Sequence, residues 1–347
     1  MKRTIRRAMQ RLRRRSTRET TRNRTALAFE PLEDRRLLAT LNNGPGGGTV
    51  SVTVDEYGAF GAQVGGAAGD AFLDPIGVNV ALGTTFESGV ALGFGGGRTF
   101  LTTGDIQGSG GLPGLATFDT PLTSWSTVVI SDVEINLFQS LGLVSDGGVP
   151  IGSLLTQTYY FRNVGAATTT FDFIRYLDSE LEFPPEESLL DGGGRVVNNG
   201  TEFLYISDNI ATPADVEELL AITLGGGTPI ATNRFEMDDF PVLAGRIIAG
   251  NPLRNTIDGD PDNDAIIEAV YEVSAALRTT YAIDSEQLDR ATTTTFFGTI
   301  RADRLVIPNP GSISGFKFED LTRDGERQPG EPPVPGFEIY LDLNRNG

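Results

Sequence analysis

Residues 49–54, Thr-Val-Ser-Val-Thr-Val, alternate polar and apolar side chains strictly. A period of two sends successive side chains to opposite faces of an extended chain, so this stretch reads as a half-buried strand. Comparable runs rich in Val, Ile, Thr, Phe and Tyr occupy 76–82, 127–138, 155–162, 168–176, 202–206, 265–277 and 292–301. Turn signals separate many of them, including Asp146-Gly147-Gly148, Asp191-Gly192-Gly193-Gly194 and Asn198-Asn199-Gly200. Many short strands with such turns between them predict an all-β chain with a β-sandwich body. Segment 157–178 predicts a hairpin with its loop at 163–167. Only 213–222 reads as a helix. Thr212 stands as its cap, Pro213 in its first turn, and Asp215, Glu217 and Glu218 at its positive start. Gly225, Gly226 and Gly227 would end it.

Composition narrows the chemistry. The 347 residues allow two domains plus tails, and they include no cysteine and no histidine. Disulfides, thiolate metal sites, histidine-bound zinc and every catalytic triad that needs histidine are excluded. Hard oxygen ligands remain, which suit calcium or magnesium. The net charge of −18 is unevenly spread: residues 1–40 carry 13 Lys/Arg against 4 Asp/Glu, and the rest 15 against 42. An acidic body repels phosphate, so the folded part is not expected to bind nucleic acid. No run reaches the ~18 apolar residues of a membrane span, so no transmembrane helix is expected.

The first forty residues read as a segment apart from the fold. Arg6, Arg7, Arg11, Arg13, Arg14 and Arg15 form a basic run that stays solvated or serves as an interaction tail. No apolar stretch of roughly 7–15 residues follows it, as a secretory peptide requires. The string Phe29-Glu30-Pro31-Leu32-Glu33-Asp34-Arg35-Arg36-Leu37-Leu38-Ala39 resembles the LEPR-XLL motif of large bacterial exported and surface proteins, with Asp34 where that motif has proline. The resemblance implies an export or surface-sorting tag. A disordered basic tail, or one that meets nucleic acid or anionic lipid, are the alternatives.

Within the body, residues 41–308, Tyr159, Phe161, Phe171, Phe173 and Trp125 are aromatic candidates for core packing, with a sugar-binding platform as the alternative. Gly93–Gly97 lack the Lys and Ser/Thr of a phosphate loop. Asp258, Asp260, Asp262 and Asp264 stand at alternate positions. Such crowding calls for a cation or full solvation, so these four are calcium-ligand candidates. Asn263 and Ala269 depart from the calcium-hand pattern, which has glycine and glutamate there.

Pro308-Asn309-Pro310-Gly311 reads as a stiff linker into residues 309–347. A twelve-residue acidic loop follows, with Asp320 first, Asp324 fifth, Gly325 sixth and Glu331 last. That is close to the calcium-hand spacing. Thr322 takes the third place with a hydroxyl, and Glu326 the seventh, where a backbone carbonyl binds. The flanks alternate like strands. The run GFKFEDLTRDGERQPGEPPVPGFEIYLDLNRNG resembles the B-type domain of serine-aspartate-repeat surface proteins. The resemblance implies an incomplete prealbumin-like, B-type β-sandwich module. Asp320, Asp324 and Glu331 would be its calcium ligands, and Asp342, Asn344 and Asn346 would begin a second acidic segment. Such a sandwich needs roughly 100 residues, so further C-terminal repeats are expected beyond residue 347.

Taken together, these readings predict an extracellular or cell-surface bacterial protein with a structural or adhesive, non-enzymatic role. Calcium would stiffen it, and its partner would be an unidentified surface or matrix component. The alternatives are a carbohydrate-binding surface module and a carboxylate glycosidase.

Overall fold

The computed structural model describes residues 39–62, 71–73, 81–95, 97–101, 115–179, 181, 191–198, 201–207, 217–228, 232–267 and 273–300. Strands β1 (Ala39–Asn42), β2 (Val50–Val54), β3 (Ala71–Leu73) and β4 (Ala81–Leu82) form a small sheet in that order. The rest are β5 (Thr85–Phe94), β6 (Gly97–Leu101), β7 (Leu115–Thr120), β8 (Thr123–Ile130), β9 (Val133–Asp146), β10 (Val149–Asn163), β11 (Thr169–Ser179), β12 (Gly192–Asn198), β13 (Thr201–Ser207), β14 (Glu217–Gly226), β15 (Phe235–Asp239), β16 (Val273–Ile283) and β17 (Leu288–Ile300). They build an eight-stranded sheet, β12-β13-β14-β17-β10-β9-β8-β7, and a five-stranded sheet, β15-β16-β11-β5-β6. Named strands pair antiparallel throughout. The chain is an all-β sandwich, as its alternation requires.

Between the two large sheets lies one continuous apolar core. Ile135 and Leu137 of β9 and Tyr159 and Phe161 of β10 meet Phe171 and Phe173 of β11 there. The segment 157–178 is not a hairpin. β10 pairs with β9 and β17, whereas β11 pairs with β16 and β5. The chain turns a corner at 163–168 and enters the opposite sheet. The aromatic rings decide this. Tyr159 meets Phe173 at 5.1 Å and Phe161 meets Phe171 at 5.1 Å, both edge-on, across the core. Facing each other buries all four rings, and edge-to-face contact adds to that burial. Asn163 secures the corner: its Nδ2 donates to Ala167 O at 2.7 Å and Ile283 O at 2.8 Å.

Several expectations about elements are corrected. Residues 217–222 belong to strand β14, not to a helix. Leu219, Leu220, Ala221 and Ile222 are all buried, because β14 is a central strand between β13 and β17 and is covered on both faces. Packing overrides helix signals when no polar face is left to meet water. Thr212 and Pro213 lie outside the described residues. The run 127–138 is two strands with a turn at Ser131 and Asp132. Gly192–Gly194 lie within β12 instead of a turn. A Cβ at Gly193 would stand 2.6 Å from Tyr205 O, so glycine serves close approach here. Strand β16 begins at Val273, so 265–267 are not strand. By contrast, Gly147 and Gly148 form the β9–β10 turn with φ of 56° and 86°, as a tight antiparallel turn demands.

Among the described residues, one helix, α1 (Phe240–Ile248), lies on the outer face of the five-stranded sheet. Its Leu243, Ala244 and Ile247 pack with Ile174, Tyr176 and Ala276 in a second core. No helix among the described residues is long and apolar enough to cross a membrane.

Candidate functional site

The outward face of β8, β9 and β10 carries the aromatic group of greatest interest. Strand alternation sends Tyr159 inward and Tyr160 outward. Trp125 on β8 is opposite Phe138 on β9, and Tyr160 on β10 is opposite Asn136, one row along. The Trp125 and Tyr160 rings stack with centroids 6.3 Å apart and planes 24° apart. Phe138 supports Trp125 at 5.9 Å. Trp125 is 37% and Tyr160 39% exposed, against at most 1% for Tyr159, Phe161, Phe171 and Phe173. The sequence-level aromatic set therefore divides: four rings pack the core and Trp125 faces water.

A polar ladder runs beside these rings. Thr127 Oγ1 donates to Asn136 Oδ1 at 2.7 Å, and Asn136 Nδ2 donates to Glu134 Oε1 at 3.1 Å. Arg162 Nη2 donates to Glu134 Oε2 at 2.8 Å. That bond holds the Glu134 carboxyl below its ordinary range, since hydrogen bonding to the charged form favours it. A part-exposed aromatic group thus borders amide, carboxylate and guanidinium groups.

A cleft of about 240 Å³ opens beside the β5–β6 turn and is lined by Gly93, Gly95, Gly97, Arg98, Asp172 and Gly250 among others. Asp172 accepts from Arg278 Nη2 at 2.7 Å and from Arg98 Nη2 at 3.4 Å. Arg98 Nη1 also donates to Asn251 O. Burial lowers the Arg98 pKa, Asp172 opposes that shift, and Arg278 adds to it. Asp172 is the one carboxylate among the cleft's described lining residues.

Further charge lies around α1. Glu236 is wholly buried and pairs with Arg246 at 3.1 Å and Arg254 at 2.6 Å. Arg254 also meets Asp238. Removal from water raises the Asp238 pKa. Between the sheets, Arg175 is fully buried. It donates to Gly89 O at 2.8 Å, Ser88 Oγ at 2.6 Å and Thr295 Oγ1 at 2.9 Å, and burial brings its pKa down to about 10.

The Asp258–Asp264 loop brings three of its four acids together. Asp260, Asp262 and Asp264 each offer an oxygen within 4.8 Å of the others. Backbone N–H groups already serve these carboxylates: Asp264 N donates to Asp260 and Asp262, Ala265 N to Asp260, and Ile266 N to Asp264. These bonds offset part of the mutual repulsion that sequence reading assigned to a cation. Asp258 acts elsewhere, on the Asp238 and Arg254 charges. Asp320, Thr322, Asp324, Glu326, Glu331, Asp342 and Asn344 lie outside the described residues.

Sequence reasoning missed Tyr160, Phe138 and the Arg98–Asp172–Arg278 group. The signal was present: Phe138 stands in the polar phase of β9, and Asp172 stands between two inward phenylalanines. What was missing was knowledge of which strands lie side by side.

No family model matches the chain, and no curated protein matches it. Several solved structures resemble parts of it. A protein described as a kojibiose phosphorylase from the human microbiome aligns over 76% of this chain at 7% identity and a TM-score of 0.38. This chain spans only 30% of that protein's length. A galactose mutarotase related enzyme from Lactobacillus acidophilus aligns over 75% of this chain and 97% of its own, at 7% identity and a TM-score of 0.35. A protein from Escherichia coli K12 described as an aldose 1-epimerase aligns over 76% and 99%, at 9% identity and a TM-score of 0.30. These three structures are described as carbohydrate-active enzymes, so the expectation of a non-enzymatic protein is withdrawn. At those scores the likeness brings no substrate, activity or residue role to this chain.

Proposed function

We propose that the body is a carbohydrate-binding β-sandwich that holds a neutral sugar chain against Trp125 and Tyr160. One observation carries this reading: two stacked, part-exposed rings on a three-strand surface, bordered by hydrogen-bonding side chains. Pyranose rings present apolar C–H faces that pack on aromatic planes, while their hydroxyls need donors and acceptors at the edge. Glu134, Asn136 and Arg162 supply those. Exposed apolar patches with a polar rim mark ligand sites. Bases also stack on aromatics, but the acidic body opposes a phosphate backbone. The solved-structure likenesses add nothing to this argument. The segment 29–39 supports placing this activity outside the cell.

Trp125 is the chain's single tryptophan, so its fluorescence reports the platform alone. A panel of neutral oligosaccharides should include one that shifts or quenches this emission. Trp125→Ala should abolish capture of that sugar on a glycan array, and Tyr160→Ala should weaken it about tenfold or more. Unchanged emission across the panel, or full capture by a folded Trp125→Ala chain, sinks the reading.

A further inference from the structure

The cleft beside the β5–β6 turn adjoins a net positive group: Arg98 and Asp172 line it, and Arg278 bonds Asp172 from outside the lining. The Arg98 side chain is 4% exposed and that of Arg278 13%, yet both share the single carboxylate of Asp172. Arg278 takes the short bond at 2.7 Å, which leaves Arg98 at 3.4 Å from its acid. Arg278 Nε is buried and has no hydrogen-bond partner. A buried guanidinium without full compensation is costly, and an anion in the adjoining cleft lowers that cost through its field.

The backbone is arranged around this group. Gly93 lies opposite both Arg98 and Asp172 in register. A Cβ there would stand 3.0 Å from Arg98 Cγ and 3.3 Å from Asp172 Cβ. Glycine therefore lets the arginine and the aspartate meet across a strand that has no side chain between them. At the mouth, a Cβ on Gly95 or Gly97 would meet nothing within 4 Å, so the turn leaves the entrance clear. The space, about 240 Å³, is below the ~300 Å³ at which drug-sized pockets begin and suits one small ligand.

We infer that this cleft binds a small carboxylate or equivalent oxyanion, held by Arg98, with Arg278 adding positive charge from outside the lining and Asp172 as its built-in competitor. Two sources share that chemistry: a free small acid or inorganic oxyanion, and the carboxylate of an acidic sugar. The cleft belongs to the five-stranded sheet and Trp125 to the eight-stranded one, so this site and the aromatic platform stand or fall separately.

Calorimetry on the full chain with glucuronate, glucose and inorganic sulfate tests the inference. Glucuronate should bind with salt-sensitive affinity and glucose should not. Sulfate binding as well as glucuronate would assign the site to free oxyanions; sulfate binding more weakly would assign it to acidic sugars. Asp172→Asn removes the competitor and should tighten anion binding about tenfold. Gly97→Leu fills open space at the mouth, leaves the ion group intact and should block binding. If no anion binds the unaltered chain, or if Asp172→Asn and Gly97→Leu bind as it does, the inference is overturned. Trp125 emission should stay unchanged during glucuronate titration.

Discussion

Tyr159, Tyr176 and Tyr281 show what burial does to single groups. Each phenol is held neutral well above its ordinary value of 10.0, chiefly because the folded chain withdraws it from water. Their hydroxyls are occupied: Tyr159 donates to Tyr57 O and Tyr281 to Arg290 O, both at 3.0 Å. The unfolded chain releases these protons near pH 10, while the folded chain keeps them. The stability they provide is complete below that pH and drains as pH rises toward the raised folded values. Arg175 works in the opposite sense from about 10 up to its ordinary guanidinium range, one group against three. Stability should therefore fall by roughly 1–3 kcal/mol per pH unit above pH 10. Denaturant titrations at stepped pH should show that fall, and phenolate absorbance should show these three of the eight tyrosines ionising only on unfolding.

Helix α1 makes the same point for an element. Its sequence, Phe-Pro-Val-Leu-Ala-Gly-Arg-Ile-Ile, carries a central glycine and three β-branched residues, which are weak helix formers. Asp239 makes no capping bond to it. The helix persists because Leu243, Ala244 and Ile247 cover the outer face of the five-stranded sheet. Pro241 near its start fits the unbonded first turn. Leu243 is wholly buried, so Leu243→Ala should cost about 2–4 kcal/mol, read as a lower unfolding midpoint with unchanged slope. An unchanged midpoint would mean that α1 contributes little. Strand β14 is the converse, since good helix signals around it yield to a position between β13 and β17.

At the scale of the molecule, the sandwich is closed by contacts between distant parts of the chain. β10 pairs with β17, placing Gly152 opposite Gly298, and β5 pairs with β11. Loop closure must precede such pairings, so refolding should take on the order of seconds or longer, measured by stopped-flow Trp125 fluorescence. A millisecond refolding phase of full amplitude would contradict this. Period-two alternation by itself determined the all-β class, the inward phase of Tyr159, Phe161, Phe171 and Phe173, and the turn at Gly147-Gly148, because side-chain direction and positive φ are local properties. Local signals could not say which strands are neighbours. Only the tertiary structure put β10 and β11 in opposite sheets, made residues 217–222 a strand, and set Trp125 beside Tyr160 and Arg98 beside Asp172. Those outcomes depend on which faces find a partner to bury against, and that is a property of the whole chain.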